Sequence, residues 1–153
     1  MDIQVIGIRG DAGFDAVIKH FTGLGGDAVL MDPDMVCGRD HILSAVMHAE
    51  RAFANGTNRS KTLLTETLLY AAGDRQIGRA IEKMSPKPGR RETVAVLFDI
   101  GDPMLDRIEM ERCDSIIEAS PEKARNLGAD MFDGISCEDA VLEHVAMTDL
   151  LKQ

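Results

Sequence analysis

At 153 residues, 44% hydrophobic and 28% charged, the chain carries enough apolar side chains to bury a core of its own, which excludes the disordered, collagenous and disulfide-stapled classes. A formal charge of −9 excludes wholesale wrapping of nucleic acid, and aromatics at 4% exclude extensive base stacking. Cys37, Cys113 and Cys137 are odd in number and widely spaced, a pattern that makes neither a disulfide framework nor a zinc site and fits a reducing compartment.

The opening Met1-Asp2-Ile3-Gln4-Val5 has neither the basic start nor the long apolar core of a signal peptide, and no run approaches a membrane span. A single cytoplasmic domain over residues 1–153, without membrane contact, is expected. Ile3 to Ile8 alternates with apolar residues as an opening strand does, and a helix starting at Asp11 or Gly13 carries Phe14, Val17, Ile18 and Phe21 on one face. It stops in the turn Gly23 to Gly26, before a short buried strand, Ala28 to Met31, that Pro33 ends.

Three helices follow in succession, Asp40 to Ala54, Lys61 to Ala72 and Arg75 to Met84, with Gly56 and Gly73 as breaks. The first places Ile42, Val46, Ala49 and Phe53 on one stripe. The second shares Leu64, Leu68 and Ala71 on a face, helped by Leu63 and Tyr70, with Ser60 as its natural N-cap. The third turns Ile77, Ala80, Ile81 and Met84 inward and Arg75, Arg79 and Lys83 outward. After the loop Ser85 to Gly89, Glu92 to Asp99 reads as a central strand covered on both faces. Asp102 and Pro103 predict a helix start with Met104, Leu105 and Ile108 inward, Ser115 to Glu118 a short strand, and Pro121 to Leu127 a short helix. Ser136 with Asp139 resembles a capping box opening the last helix. The order implies a mixed α/β fold, a small mixed β-sheet packed with helices and an all-helical segment in the middle of the chain.

Charge singles out that middle. From Arg51 to Arg91 nine cations face only Glu66, Asp74 and Glu82, a net +6 that leaves −15 for the remainder. Such an island suggests a local anionic partner, against the plainer reading of a solvated helical face. Gly56-Thr57-Asn58-Arg59-Ser60-Lys61-Thr62 resembles a phosphate loop, yet Ser60 replaces the second glycine and a helix, not a strand, precedes it. The helix start that follows still lets Asn58, Arg59 and Lys61 hold a phosphate. Cys37, His41 and His48 have helical spacing without a second cysteine beside them, so packing or surface roles outweigh metal binding. No cofactor and no catalytic set is expected. Glu66 sits among leucines, and an ion pair with Arg51 or Arg75 is the expected way to keep it there.

The run Leu68-Leu69-Tyr70-Ala71-Ala72-Gly73-Asp74-Arg75-Gln76-Ile77, continued by Ala80-Ile81-Glu82-Lys83, resembles the signature of the kinase-binding regulatory subunit of the KEOPS (EKC) tRNA threonylcarbamoylation complex, the CGI/PRPK-binding protein family. Ala49 to Phe53, Gly56-Thr57-Asn58, Glu66 and the closing Val145 to Leu151 are similar to the same family in order and spacing. The family motif has Leu and Ser where this chain has Ala71 and Ala72, and Asp74 places a negative charge beside Arg75. The resemblance implies an archaeal, non-catalytic protein that docks on the small atypical kinase, an ATPase, of that complex. It also implies binding of the single-stranded 3′ CCA end of tRNA during modification of the adenosine next to the anticodon. The alternative is a small α/β nucleotide- or metabolite-binding enzyme, and a third reading is a protein linker without RNA contact.

On this reading the RNA surface comprises Asn58, Arg59, Lys61, Arg75, Gln76, Arg79 and Lys83, cations for phosphates and an amide for a base edge. In the last helix Val141, Val145 and Thr148 form the packing stripe, and Met147, Leu150 and Leu151 do not all fit it. Those three either cap the protein's own core or meet a second chain. The resemblance implies the second, with the amino-terminal lobe of the kinase as partner.

Overall fold

The computed structural model describes residues 1–151. They form strands β1 (Ile3–Arg9), β2 (Asp27–Met31), β3 (Glu92–Phe98) and β4 (Glu111–Arg112). The helices are α1 (Phe14–Gly23), α2 (Arg39–Asn55), α3 (Leu63–Ala72), α4 (Ile77–Met84), α5 (Pro121–Leu127) and α6 (Cys137–Leu151). The chain divides into two compact units, one of Met1–Pro33 with Pro86–Ile117, the other of Asp34–Ser85 with the chain from Glu118 onward.

The first unit is a sheet in the order β2-β3-β1-β4 with every pairing antiparallel. β3 is central because its unbroken apolar run suits burial on both faces. Its Ala95 and Leu97 point with Ile6, Ile8, Ala28 and Leu30 toward Val17 and Phe21 of α1, forming the core of this unit. On the opposite face Val94 and Val96 are equally buried. There the turn after β4 crosses so close that a Cβ on Gly7 would lie 2.1 Å from the Cys113 carbonyl oxygen.

The second unit is helical. α3 is buried from Glu66 to Ala72, as an apolar helix must be when α2, α4 and α6 all pack on it. α2 supplies Ile42, Ala45, Val46 and Ala49, and α6 supplies Val141, Val145 and Thr148. The chain turns sharply at Gly56 and Gly73 because both glycines adopt the left-handed conformation, φ 71° and 67°.

The α/β class and the all-helical middle are as read from the sequence, and α5 has the expected bounds. Other elements differ. Thr62, not Ser60, caps α3 by accepting the Thr65 amide at 3.2 Å. Asp102 does receive the Met104 amide at 2.9 Å, but the chain makes only a 3-10 turn, Leu105–Ile108, closed on both sides by left-handed Met104 and Glu109. The segment expected as a strand at Ser115 is a second 3-10 turn, Asp114–Ile117, where Asp114 accepts the Gly7 amide at 3.0 Å and so replaces a strand partner. β4, only two residues long, carries too little pattern to be foreseen.

Candidate nucleic-acid and partner interface

The sequence-predicted surface lies in the helical unit at the two ends of α3, which are about 15 Å apart at 1.5 Å rise per residue. At the start, Arg59 and Lys61 are exposed and Asn58 is half-buried, its side-chain amide donating to the Ser60 carbonyl at 2.9 Å. Beneath them sits Glu66, fully buried. Its carboxylate accepts the Arg59 amide at 3.1 Å and both the amide and hydroxyl of Ser60 at 2.9 Å. These partners come from the loop before its own helix, where the sequence suggested Arg51 or Arg75. A carboxylate one turn into α3 reaches back to the preceding loop more easily than a distant guanidinium reaches it, and it also suits the positive end of the helix. Truncating Glu66 would leave these amides unsatisfied at about 1–3 kcal/mol each. The loop that presents Arg59 and Lys61 is therefore a fixed one.

At the far end of α3, Arg75 and Gln76 are exposed. Just before α4, Asp74 accepts the amide of the N-cap residue Gln76 at 2.9 Å, and it pairs with Arg79 Nε at 3.1 Å. Burial opposes ionisation of Asp74, but the amide and the guanidinium outweigh it and hold the carboxyl below its ordinary value. Asp74 thus neutralises part of the patch while positioning Arg79, whose side chain remains 65% exposed. An exposed pair of this kind contributes about 0–1 kcal/mol and exchanges readily for another anion.

Lys83 departs from the surface drawn from sequence. Its ammonium donates to the carbonyls of Ala72 at 3.0 Å and Leu127 at 2.8 Å, the last residues of α3 and α5, and burial lowers its pKa. Two helix C-termini meeting at one point concentrate partial negative charge there, and a long cationic side chain answers it. Conversely Ile81, expected in the core, is 41% exposed. The buried stripe of α4 runs through Ala80 and Met84 alone. Under the same end of α3, His41 is fully buried, accepting the Cys37 amide at Nδ1 (3.0 Å) and donating from Nε2 to the Ala71 carbonyl (2.8 Å). Both ring nitrogens of this suggested metal ligand are thereby occupied.

The end of α6 is the second surface. Met147, Leu150 and Leu151 are 50%, 60% and 44% exposed, whereas Val141, Val145 and Thr148 are buried. Met47 of α2 is exposed too. Between the exposed leucine pair and the core stands Asp149, which accepts a short hydrogen bond from the buried Tyr70 hydroxyl and one from His48 Nδ1 at 3.2 Å. The His48 and Tyr70 rings stack at 5.4 Å. Burial, then the Asp149 carboxylate, push the Tyr70 phenol well above its ordinary pKa, so it is a donor. This clasp is not legible from sequence, because nothing in the spacing of 48, 70 and 149 connects them.

Three further cations of the island, Lys87, Arg90 and Arg91, belong to the sheet unit and line a cavity of about 560 Å³. Each faces a carboxylate there, Asp32 for the first two and Asp11 for the third. Among the described residues no group of three His, Cys, Asp or Glu side chains is placed to hold a metal, and no helix is long and apolar enough to cross a membrane.

A small α/β protein that offers a fixed cationic edge and an apolar helix end has the form of a binding protein. The family described as kinase binding protein CGI-121 matches residues 22–147, and the chain belongs to that family. Kinase binding is accordingly its family role. No curated protein matches the chain significantly.

Proposed function

We propose that this protein is the non-catalytic, kinase-binding subunit of the KEOPS complex, holding the 3′ CCA end of tRNA while the complex modifies the adenosine next to the anticodon. The observation that carries the reading is the pairing of family membership with an apolar helix end left exposed on a helix whose other face is packed. Solvated leucines on a terminal turn are unfavourable unless a second chain covers them, and an amphipathic helix end laid in a groove is a known recognition mode. Arg59, Lys61, Arg75 and Arg79 supply phosphate contacts, and Gln76 and Asn58 supply amides for a base edge. Lys83 contributes chiefly by holding the end of α3, which leads into the loop with Arg75, to the end of α5.

The test is co-purification with the kinase and with tRNA, for the wild type and two variants. Leu151→Glu is expected to lose the kinase, keep tRNA and melt as the wild type does. Arg75→Glu with Arg79→Glu is expected to do the reverse. Equal kinase recovery with Leu151→Glu refutes the partner surface, and unchanged tRNA recovery with the arginine variant refutes the RNA surface.

A further inference from the structure

The cavity of the sheet unit has an apolar floor and a charged rim, and neither the kinase surface nor the RNA surface uses it. Its volume of about 560 Å³ is in the range that encloses a small organic molecule. Val17 of α1, Leu30 of β2 and Met110, each at most 5% exposed, form the floor. Phe14, the first residue of α1, stands at the mouth with 53% of its surface exposed. The loop before β3 supplies Lys87, Arg90 and Arg91 to the rim, and the turn before α1 supplies Asp11. These cations are held differently. Lys87 and Arg90 lie 3.7 and 3.5 Å from the Asp32 carboxylate, and Arg90 lies 3.8 Å from Glu92. Asp32 is buried, and a buried carboxylate deserted by its cations is costly, so those pairs persist. Arg91 instead grips Asp11 with two prongs, Nε to Oδ1 at 2.7 Å and Nη2 to Oδ2 at 3.5 Å. Both of these side chains are largely solvated, 55% and 82% exposed. A solvated pair of this kind contributes little to stability and exchanges readily for another carboxylate.

We propose that this cavity binds a small organic monocarboxylate with an apolar body. The ligand's carboxylate replaces that of Asp11 on Arg91, and its body lies against Phe14 over the floor of Val17, Leu30 and Met110. The anionic half follows from Arg91, which already presents the fork that a carboxylate takes with two parallel hydrogen bonds. The number of charges follows from the rim. Lys87, Arg90 and Arg91 balance Asp11, Asp32 and Glu92 while Asp11 is in place. Once Asp11 turns to solvent, one positive charge is left over. A single carboxylate cancels it, whereas a polyphosphate brings excess negative charge beside Asp32 and Glu92, where like charges repel. The apolar half follows from Phe14, whose exposed ring loses water when a hydrocarbon body covers it, next to a floor that is already dry.

The experiment titrates the isotope-labelled full chain with cinnamate and follows the backbone amides by NMR. Saturable shifts are expected at residues 10–14 and 87–93, with a dissociation constant on the order of 1 mM or below. Acetate has the charge without the ring, and cinnamamide has the ring without the charge. Each should bind at least about tenfold more weakly than cinnamate. Arg91→Gln should weaken cinnamate about tenfold. Asp11→Asn removes the competing carboxylate and should tighten it severalfold. Both side chains are solvated, so both variants keep the fold, and their opposite signs separate the site from a general effect of charge. Four results overturn the proposal. They are the absence of saturable shifts at the cavity, acetate binding as well as cinnamate, cinnamamide binding as well as cinnamate, and Asp11→Asn binding no tighter than the wild type.

Discussion

Single side chains settle how the signature segment is built. Gly73 needs its left-handed φ, and any Cβ there would lie 2.1 Å from Nε2 of His144, so both backbone and packing demand glycine. His144 Nε2 is itself buried without a partner in hydrogen-bonding geometry, which marks this approach as tight. His41 beneath it carries a pH consequence. Burial lowers its pKa from 6.5 to about 4, against the favourable bond to Ala71, and His144, Lys123 and Lys83 add repulsion. Between those values the unfolded chain takes up a proton that the folded chain refuses, so stability is full above the unfolded pKa and is lost as pH falls toward the folded one. The loss is on the order of 3 kcal/mol. Denaturant midpoints measured from about pH 7 to about pH 4 should fall steeply for the wild type and less for His41→Gln; equal slopes would assign the acid sensitivity elsewhere.

Among the elements, α6 carries the partner surface proposed for the protein. Asp149 lies in its last turn, where the helix dipole disfavours a carboxylate by about 0.3–1 kcal/mol. The hydrogen bonds from Tyr70 and His48 offset that cost and hold the turn bearing Leu150 and Leu151 against α2 and α3. Tyr70→Phe removes one bond from the clasp and should destabilise the fold by about 1–2 kcal/mol. Its larger effect is expected locally, as faster amide exchange at residues 147–151 and weaker kinase binding. Exchange there equal to the wild type would show that the clasp does not hold the turn. α3 shows the complementary case. Packed by three other helices, it has no freedom to adjust, so its two ends present Arg59 and Lys61, and Arg75 and Gln76, at a fixed separation.

For the whole molecule, the charge distribution predicts how RNA binding responds to salt. A chain of net −9 repels a polyanion except where cations are clustered, so association should depend on a few phosphates and weaken sharply with ionic strength. Arg75→Glu with Arg79→Glu should lower the slope of log affinity against log salt by about 0.7 to 1 for each phosphate that is no longer neutralised. A weakened affinity with an unchanged slope would mean that these arginines position the loop and do not touch phosphate.

Much of this is legible in the residues. Apolar periodicity locates α2, α3, α4 and the central strand to within two residues, glycines mark the breaks at 56 and 73, and Ser120-Pro121 and Ser136 mark helix starts, because these are local effects of backbone sterics and capping. The apolar surplus of Met147, Leu150 and Leu151 is visible for the same reason, as a mismatch with the helix period. Tertiary structure alone decides the rest. Lys83 turns to two carbonyls, Glu66 to the loop before its helix, Asp149 to Tyr70 and His48, and Cys37 to the Ser120 carbonyl. Each is a polar or reactive group whose partner lies outside its own helical turn, and period and propensity say nothing about which distant group will satisfy it.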